Sequence, residues 1–225
     1  MKVTYFGHAC LSLSINDKTL LIDPFITGNP LAKDINVDSL AADYILITHA
    51  HQDHILDVET IAKNTKATII SNYEIAMHYS AKEFNVHPLN HGGKCVFDNI
   101  TIKYVNAIHT SSFPDGTYGG QPGGFVISFE NKSIYIAGDT AVTFDMKLIP
   151  MYTKLDLAIL PIGDNFTMGV DDAIIASDFI ECNKILGCHY DTFPPIKIDK
   201  NEAIQKFDKK SKELILLEIG SFISI

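Results

Sequence analysis

Apolar and polar positions alternate from the start of the chain, and short runs of this kind predict strands over 2–6, 10–15 and 19–22. The polar turn Asn16-Asp17-Lys18 joins the last two, a connection short enough only for an antiparallel pair. The pattern then changes. Residues 44–48 form a continuous apolar run, as a buried strand does, 55–63 carry a helical period, 67–70 read as a strand and 73–83 as a helix. A similar succession follows, with strands over 100–107, 125–129 and 133–137, the last two joined by Glu130-Asn131-Lys132. It continues as strand 157–161, helix 171–181, strand 185–188, helix 202–209 and strand 214–218. Two β-rich halves with helices outside them predict an α/β fold, a four-layered αββα sandwich built from two similar halves.

No Pro/Ser-rich linker or low-complexity tract interrupts this order, so 1–225 read as a single domain. The glycine-rich stretch 116–124 is too short to separate domains; its glycines would let a loop approach a site closely. With 46% hydrophobic and 20% charged residues, the chain has the material for a core and not the polarity of disorder. No apolar run reaches the length of a membrane span, and the first residues alternate like a strand where a signal peptide would carry an apolar core. Cys10, Cys95, Cys182 and Cys188 lie far apart without CxxC spacing, so reduced thiols and a cytoplasmic location are expected. The formal net charge of -9 opposes broad attraction to nucleic acid. The expected partner is a small-molecule substrate, with no nucleic acid and no membrane, and a homo-oligomer is compatible with these features.

The chemistry concentrates after the apolar run 44–48, where His49-Ala50-His51-Gln52-Asp53-His54 places four candidate metal ligands in one short segment. Residues two apart in an extended segment point the same way, so His49 and His51 can converge on one ion. Asp53 and His54 then face a neighbouring position as the chain enters a helix. Later strands end in further donors: His109 after 100–107, Asp139 after 133–137 and His189 after 185–188. Asp23 follows a strand and is a candidate partner for a metal-bound imidazole. His8, in the tight connection between the first two strands, can face the site and bond a substrate or a metal ligand. Asp164 and Asn165, in a polar loop after the strand 157–161, are candidate substrate contacts. Tyr118 in the glycine-rich stretch is a weaker candidate for stabilising an oxyanion. His78, His87 and His91 lack ligand spacing and read as packing or surface residues, and Cys188 should face away from the site into the core.

The HxHxDH segment, followed by histidine, aspartate and histidine at strand ends, resembles the metallo-β-lactamase superfamily. Gly7-His8-Ala9-Cys10, Leu21-Ile22-Asp23-Pro24, Ala137-Gly138-Asp139-Thr140 and the segment 160–169 resemble its uncharacterised metal-dependent hydrolase branch, close to the ascorbate-6-phosphate lactonase-like proteins. The resemblance implies two divalent metal ions, zinc first, with manganese or iron as alternatives. It implies that His49, His51 and His109 bind one ion, that Asp53, His54 and His189 bind the other, and that Asp139 bridges them. The implied activity is hydrolysis of a small ester, lactone or phosphoester by metal-activated water, with Asp53 as the catalytic carboxylate. Alternative functions are a nucleic-acid phosphodiesterase, which would need a basic channel, and a non-catalytic metal-binding module. A redox di-iron protein is disfavoured, because that branch carries glutamate where this chain has His51.

Overall fold

The computed structural model describes all 225 residues. Alternation near the start forms β1 (Lys2–Gly7), β2 (Cys10–Ile15) and β3 (Lys18–Ile22), followed by β4 (Tyr44–Leu46). The first half continues with α1 (Gln52–Ile55), α2 (Val58–Thr65), β5 (Thr68–Ser71), α3 (Tyr73–Ser80) and β6 (Val86–Pro88). The second half opens with β7 (Lys94–Phe97), β8 (Ile100–Asn106), β9 (Gly123–Phe129) and β10 (Lys132–Ile136). After it come α4 (Ile149–Tyr152), β11 (Leu157–Pro161), α5 (Val170–Phe179), β12 (Lys184–Cys188), α6 (Lys200–Asp208), β13 (Glu213–Ile215) and β14 (Phe222–Ser224).

The strands form two seven-stranded sheets, ordered β14-β1-β2-β3-β4-β5-β6 and β7-β8-β9-β10-β11-β12-β13. In both, the first three pairings are antiparallel and the last three parallel. The halves are therefore alike in topology, as the repeated pattern of the sequence predicts. Side chains on alternate positions of each strand go to opposite faces. In β3, Leu20 and Ile22 enter the core between the sheets with Ile102, Phe125 and Ile159, while Leu21 joins Ile45, Ile61 and Ile75 beneath the outer helices. On the other side, Tyr135, Ala158 and Leu160 pack with Ile174, Ala203 and Phe207 of α5 and α6. Three apolar layers thus hold an αββα sandwich together.

Local boundaries differ from the sequence expectation in informative places. The helix predicted over 55–63 begins only at Val58, as α2, after the separate turn α1, and Asp57 between them accepts from Ile26 N, Thr27 N and Thr27 Oγ1 at 2.6, 3.0 and 2.6 Å. Its own amide donates to the Pro24 carbonyl. That tertiary contact detaches α1, a single turn, from α2. The strand expected over 44–48 ends at Leu46, and β6, β7 and β14, all at or next to sheet edges, were not foreseen. None of the helices is long and apolar enough to cross a membrane.

Candidate metal centre

Every donor foreseen from the sequence follows the C-terminal end of a strand or lies in the turn that begins there. His8 follows β1, Asp23 follows β3, His49 to His54 follow β4, His109 follows β8, Asp139 follows β10 and His189 follows β12. β8 and β10 are both antiparallel to β9, so their C-terminal ends share an edge, and the parallel β11 and β12 extend it. The His189 amide donates to the His8 carbonyl at 2.8 Å, joining the two sheets across the site. His8, Asp23 and His189 have φ of 55, 43 and 54°. This left-handed backbone is costly for residues other than glycine, and strain of this kind concentrates where side chains must be aimed at a site.

The structure brings His49, His51, Asp53, His54, His109, Asp139 and His189 together. Donor atoms of His49, His51 and His109 lie within 4.8 Å of one another, as do those of Asp53, His54 and His189, with His8 in the same group. Asp139 stands between the groups. Its Oδ2 is 3.9 Å from His49 Nε2 and 3.6 Å from His109 Nε2, and 3.4 and 3.1 Å from the Nε2 atoms of His54 and His189.

A buried hydrogen-bond chain fixes the imidazoles. Asp23 accepts from Thr48 N at 2.8 Å and from Thr48 Oγ1 at 2.6 Å, and its third contact, at 2.8 Å, is His54 Nδ1. Thr48 Oγ1, its proton given to Asp23, accepts from His49 Nδ1 at 3.0 Å. Both rings then direct Nε2 inward, the arrangement by which outer partners orient metal-binding histidines. His51 turns Nδ1 inward, 3.1 Å from His49 Nε2, and meets Thr110 Oγ1 at 3.3 Å through Nε2. Asp23 thus bonds an imidazole of the histidine motif, whereas Thr48, which adjoins that motif, was not singled out.

Burial, then the neighbouring His54, hold His49 well below the usual imidazole range, so its ring is neutral. Burial opposes charge on His54, but Asp139, Asp23 and Asp53 outweigh it and raise the pKa well above the ordinary value. The same contest, won by Asp139 and then Asp53, raises His189 to about 9. Burial would raise Asp53 and Asp139, yet the facing imidazoles hold both carboxyls below the usual range.

His54 Nε2, both ring nitrogens of His189 and Asp139 Oδ1 are buried without a hydrogen-bond partner. Buried polar atoms are seldom left so, because each costs about 1–3 kcal/mol. Their clustering beside open imidazole lone pairs fits a cation, and nitrogen with carboxylate oxygen suits zinc, manganese or iron.

The remaining candidates lie around this centre. His8 is buried, with Nδ1 2.9 Å from Thr192 Oγ1 and Nε2 3.0 Å from Asp53 Oδ2. Asp164 and Asn165 are exposed and line a cleft of about 520 Å³ with Asp171, Lys197 and Glu202, which none of the metal-donor residues lines. Their loop still touches the centre, since the Met168 amide donates to the Thr140 carbonyl next to Asp139. A larger cleft, about 640 Å³, meets the site only at His8. The glycine-rich loop does approach the centre closely: a Cβ on Gly119 would stand 2.4 Å from Ala50 Cβ, between His49 and His51. Tyr118 is exposed, and Cys188 faces the core between the sheets. His78, His87 and His91 stay outside, against Phe113, Phe97 and Tyr104.

Residues 2–189 match the beta-lactamase superfamily domain, and the chain belongs to that superfamily. It is 67% identical over 226 residues to a UPF0173 metal-dependent hydrolase of Christiangramia forsetii, covering 100% of both chains. It is 47% identical over 220 residues to one from Methylacidiphilum infernorum, covering 97% of each. Among solved structures, Igni18, a metallo hydrolase from the hyperthermophilic archaeon Ignicoccus hospitalis, superposes with a TM-score of 0.90 at 33% identity, over 99% of this chain and 97% of that one. The chain is a metal-dependent hydrolase with a metallo-β-lactamase fold.

Proposed function

We propose that the chain, acting as a single domain, uses two divalent metal ions to hydrolyse a small ester, lactone or phosphoester, with zinc ahead of manganese or iron. The reading is carried by the orphaned donor atoms gathered around Asp139. His49, His51 and His109 would hold one ion, Asp53, His54 and His189 the other, and Asp139 would bridge them. The reach of Asp139 Oδ2 to nitrogens of both groups supports the bridge. A bound metal pair supplies Lewis acidity, bringing the pKa of a water towards neutrality and drawing charge from the substrate oxygen.

The side chains supply orientation. Asp23 and Thr48 hold His54 and His49 in one tautomer each, which spares the site reorganisation during turnover. The Asp53 side chain is 27% exposed, and its Oδ1 has no protein partner, so it is placed to accept from the attacking water and aim it. Asp164 and Asn165 are proposed to contact polar substrate atoms from the loop that rests on Thr140. The resemblance to lactonase-like proteins favours cleavage of a lactone or ester C–O bond. A net charge of -9 weighs against nucleic acid, and four free cysteines agree with a cytoplasmic enzyme.

The decisive experiment measures metal content and turnover of lactones, carboxyl esters, phosphomonoesters and phosphodiesters by zinc- and manganese-reconstituted protein. Two ions per chain are expected, with turnover of one ester class. His109→Ala should lower that turnover by more than about a hundredfold, exceeding the usual loss for an outer partner. One ion per chain, or full turnover in the variant, would refute the assignment.

A further inference from the structure

His8 belongs to the same donor group as Asp53, His54 and His189, and its Nε2 is near enough to count as a metal ligand. The hydrogen bonds argue otherwise. The Asp53 carboxylate can only accept, so the 3.0 Å contact from His8 Nε2 requires a proton on that nitrogen. A protonated ring nitrogen has no lone pair for a metal. The other nitrogen, Nδ1, is occupied at 2.9 Å by Thr192 Oγ1. The ring itself has little freedom: Phe25 and Phe193 meet it edge-on at centroid distances of 5.4 Å each, and His189 lies against it at 4.0 Å.

We propose that His8, itself held by Thr192, is a positioning residue that fixes the rotamer of Asp53 and thereby the geometry of the second metal position. The contact falls on Oδ2, the Asp53 oxygen that also faces His54 and His189 at 3.9 and 3.6 Å. These contacts all fall on Oδ2, which leaves Oδ1 without a protein partner. His8 therefore stands behind Asp53 and not against a substrate. This inference rests on the proposed ligand role of Asp53, and it explains why a histidine occupies a left-handed turn position at φ 55°. The site demands an imidazole there, and the backbone strain is tolerated.

The test uses cobalt(II) as a spectroscopic probe, titrated into the metal-free full chain and its His8→Gln, His8→Asn and Thr192→Val variants. Glutamine places an N–H where His8 Nε2 lies, whereas asparagine suits the left-handed backbone but reaches only the Nδ1 position. The expected result is a first cobalt bound alike by all four proteins. The second should be near native in His8→Gln, roughly 10–100-fold weaker in His8→Asn, as for loss of an outer partner, and intermediate in Thr192→Val. Rescue by glutamine but not asparagine, together with a loss in Thr192→Val, which keeps the shape of threonine while removing its hydroxyl, is a pattern that a packing role would not produce. Equal loss in His8→Gln and His8→Asn would make His8 a ligand and overturn the proposal, as would native binding in both. Because cobalt binding requires no substrate, failure of the proposed bond class leaves this outcome readable. A native chain that binds only one cobalt would instead refute the two-metal reading on which it stands.

Discussion

At the scale of single residues, the proposed ligand set makes protons and cations compete for the same nitrogens. His54 and His189 are raised above the ordinary imidazole pKa, His189 to about 9, because the carboxylates beside them outweigh their burial. For His189, the raised folded pKa stabilises the metal-free protein below the unfolded value of about 6.5, and that contribution is lost as pH rises through about 9. A metal must displace these protons, so its apparent affinity should climb between those pH values. Calorimetric zinc titrations at pH 7 in buffers of different ionisation enthalpy should show proton release on binding, and the share that comes from His189 should fall as pH rises through about 9. Proton release that does not change with pH would contradict this account. Most of the residues involved were legible in the sequence, because metal chemistry requires particular side chains at particular spacings. Thr192 was not, since nothing local to it signals a contact with a residue from the first turn of the chain.

At the scale of elements, the site depends on how strand ends are terminated. Asp57, between α1 and α2, anchors the loop that carries Ile26 and Thr27, so the helix that the pattern starts at residue 55 begins at Val58. Helical periodicity reports which face is apolar; it does not report a hydrogen bond from another loop. The turn after β11 shows the same dependence. A Cβ on Gly163 would stand 2.1 Å from the carbonyl oxygen of His189, a backbone atom that can yield only if the ligand loop moves. Gly163→Ala should therefore cost about 1–3 kcal/mol of stability, the usual range for overpacking, and weaken zinc binding as well. Thermal melting of the metal-free protein and a chelator competition check the two effects; a destabilised variant with native affinity would mean that the loop absorbs the clash elsewhere. The missed strands β6, β7 and β14 hold only three or four residues each. Runs that short carry too few positions for alternation to stand out.

At the scale of the whole molecule, the centre joins two sheets through loops from both halves, so the proposed ligation would couple to folding. Ions bound to the folded state alone add to its stability, by about 4 kcal/mol when the free metal is a thousandfold above its dissociation constant. For a chain of this size, complete chelation should lower the Tm by roughly 10 °C. Differential scanning calorimetry with and without a strong chelator measures this directly, and an unchanged Tm would place the ligand loops outside the cooperative unit.

The sequence by itself determined the αββα class and the repetition of its halves, and it singled out the seven candidate donor residues that the structure brings together. Each of those rests on local periodicity or on the identity of side chains, both of which are written along the chain. The tertiary structure alone decided which strands neighbour one another in each sheet, that Asp139 lies between two donor groups, and that His8 turns to Asp53. Those outcomes depend on which strand ends meet across two sheets, and a contact between residues 8, 53 and 192 has no local signature.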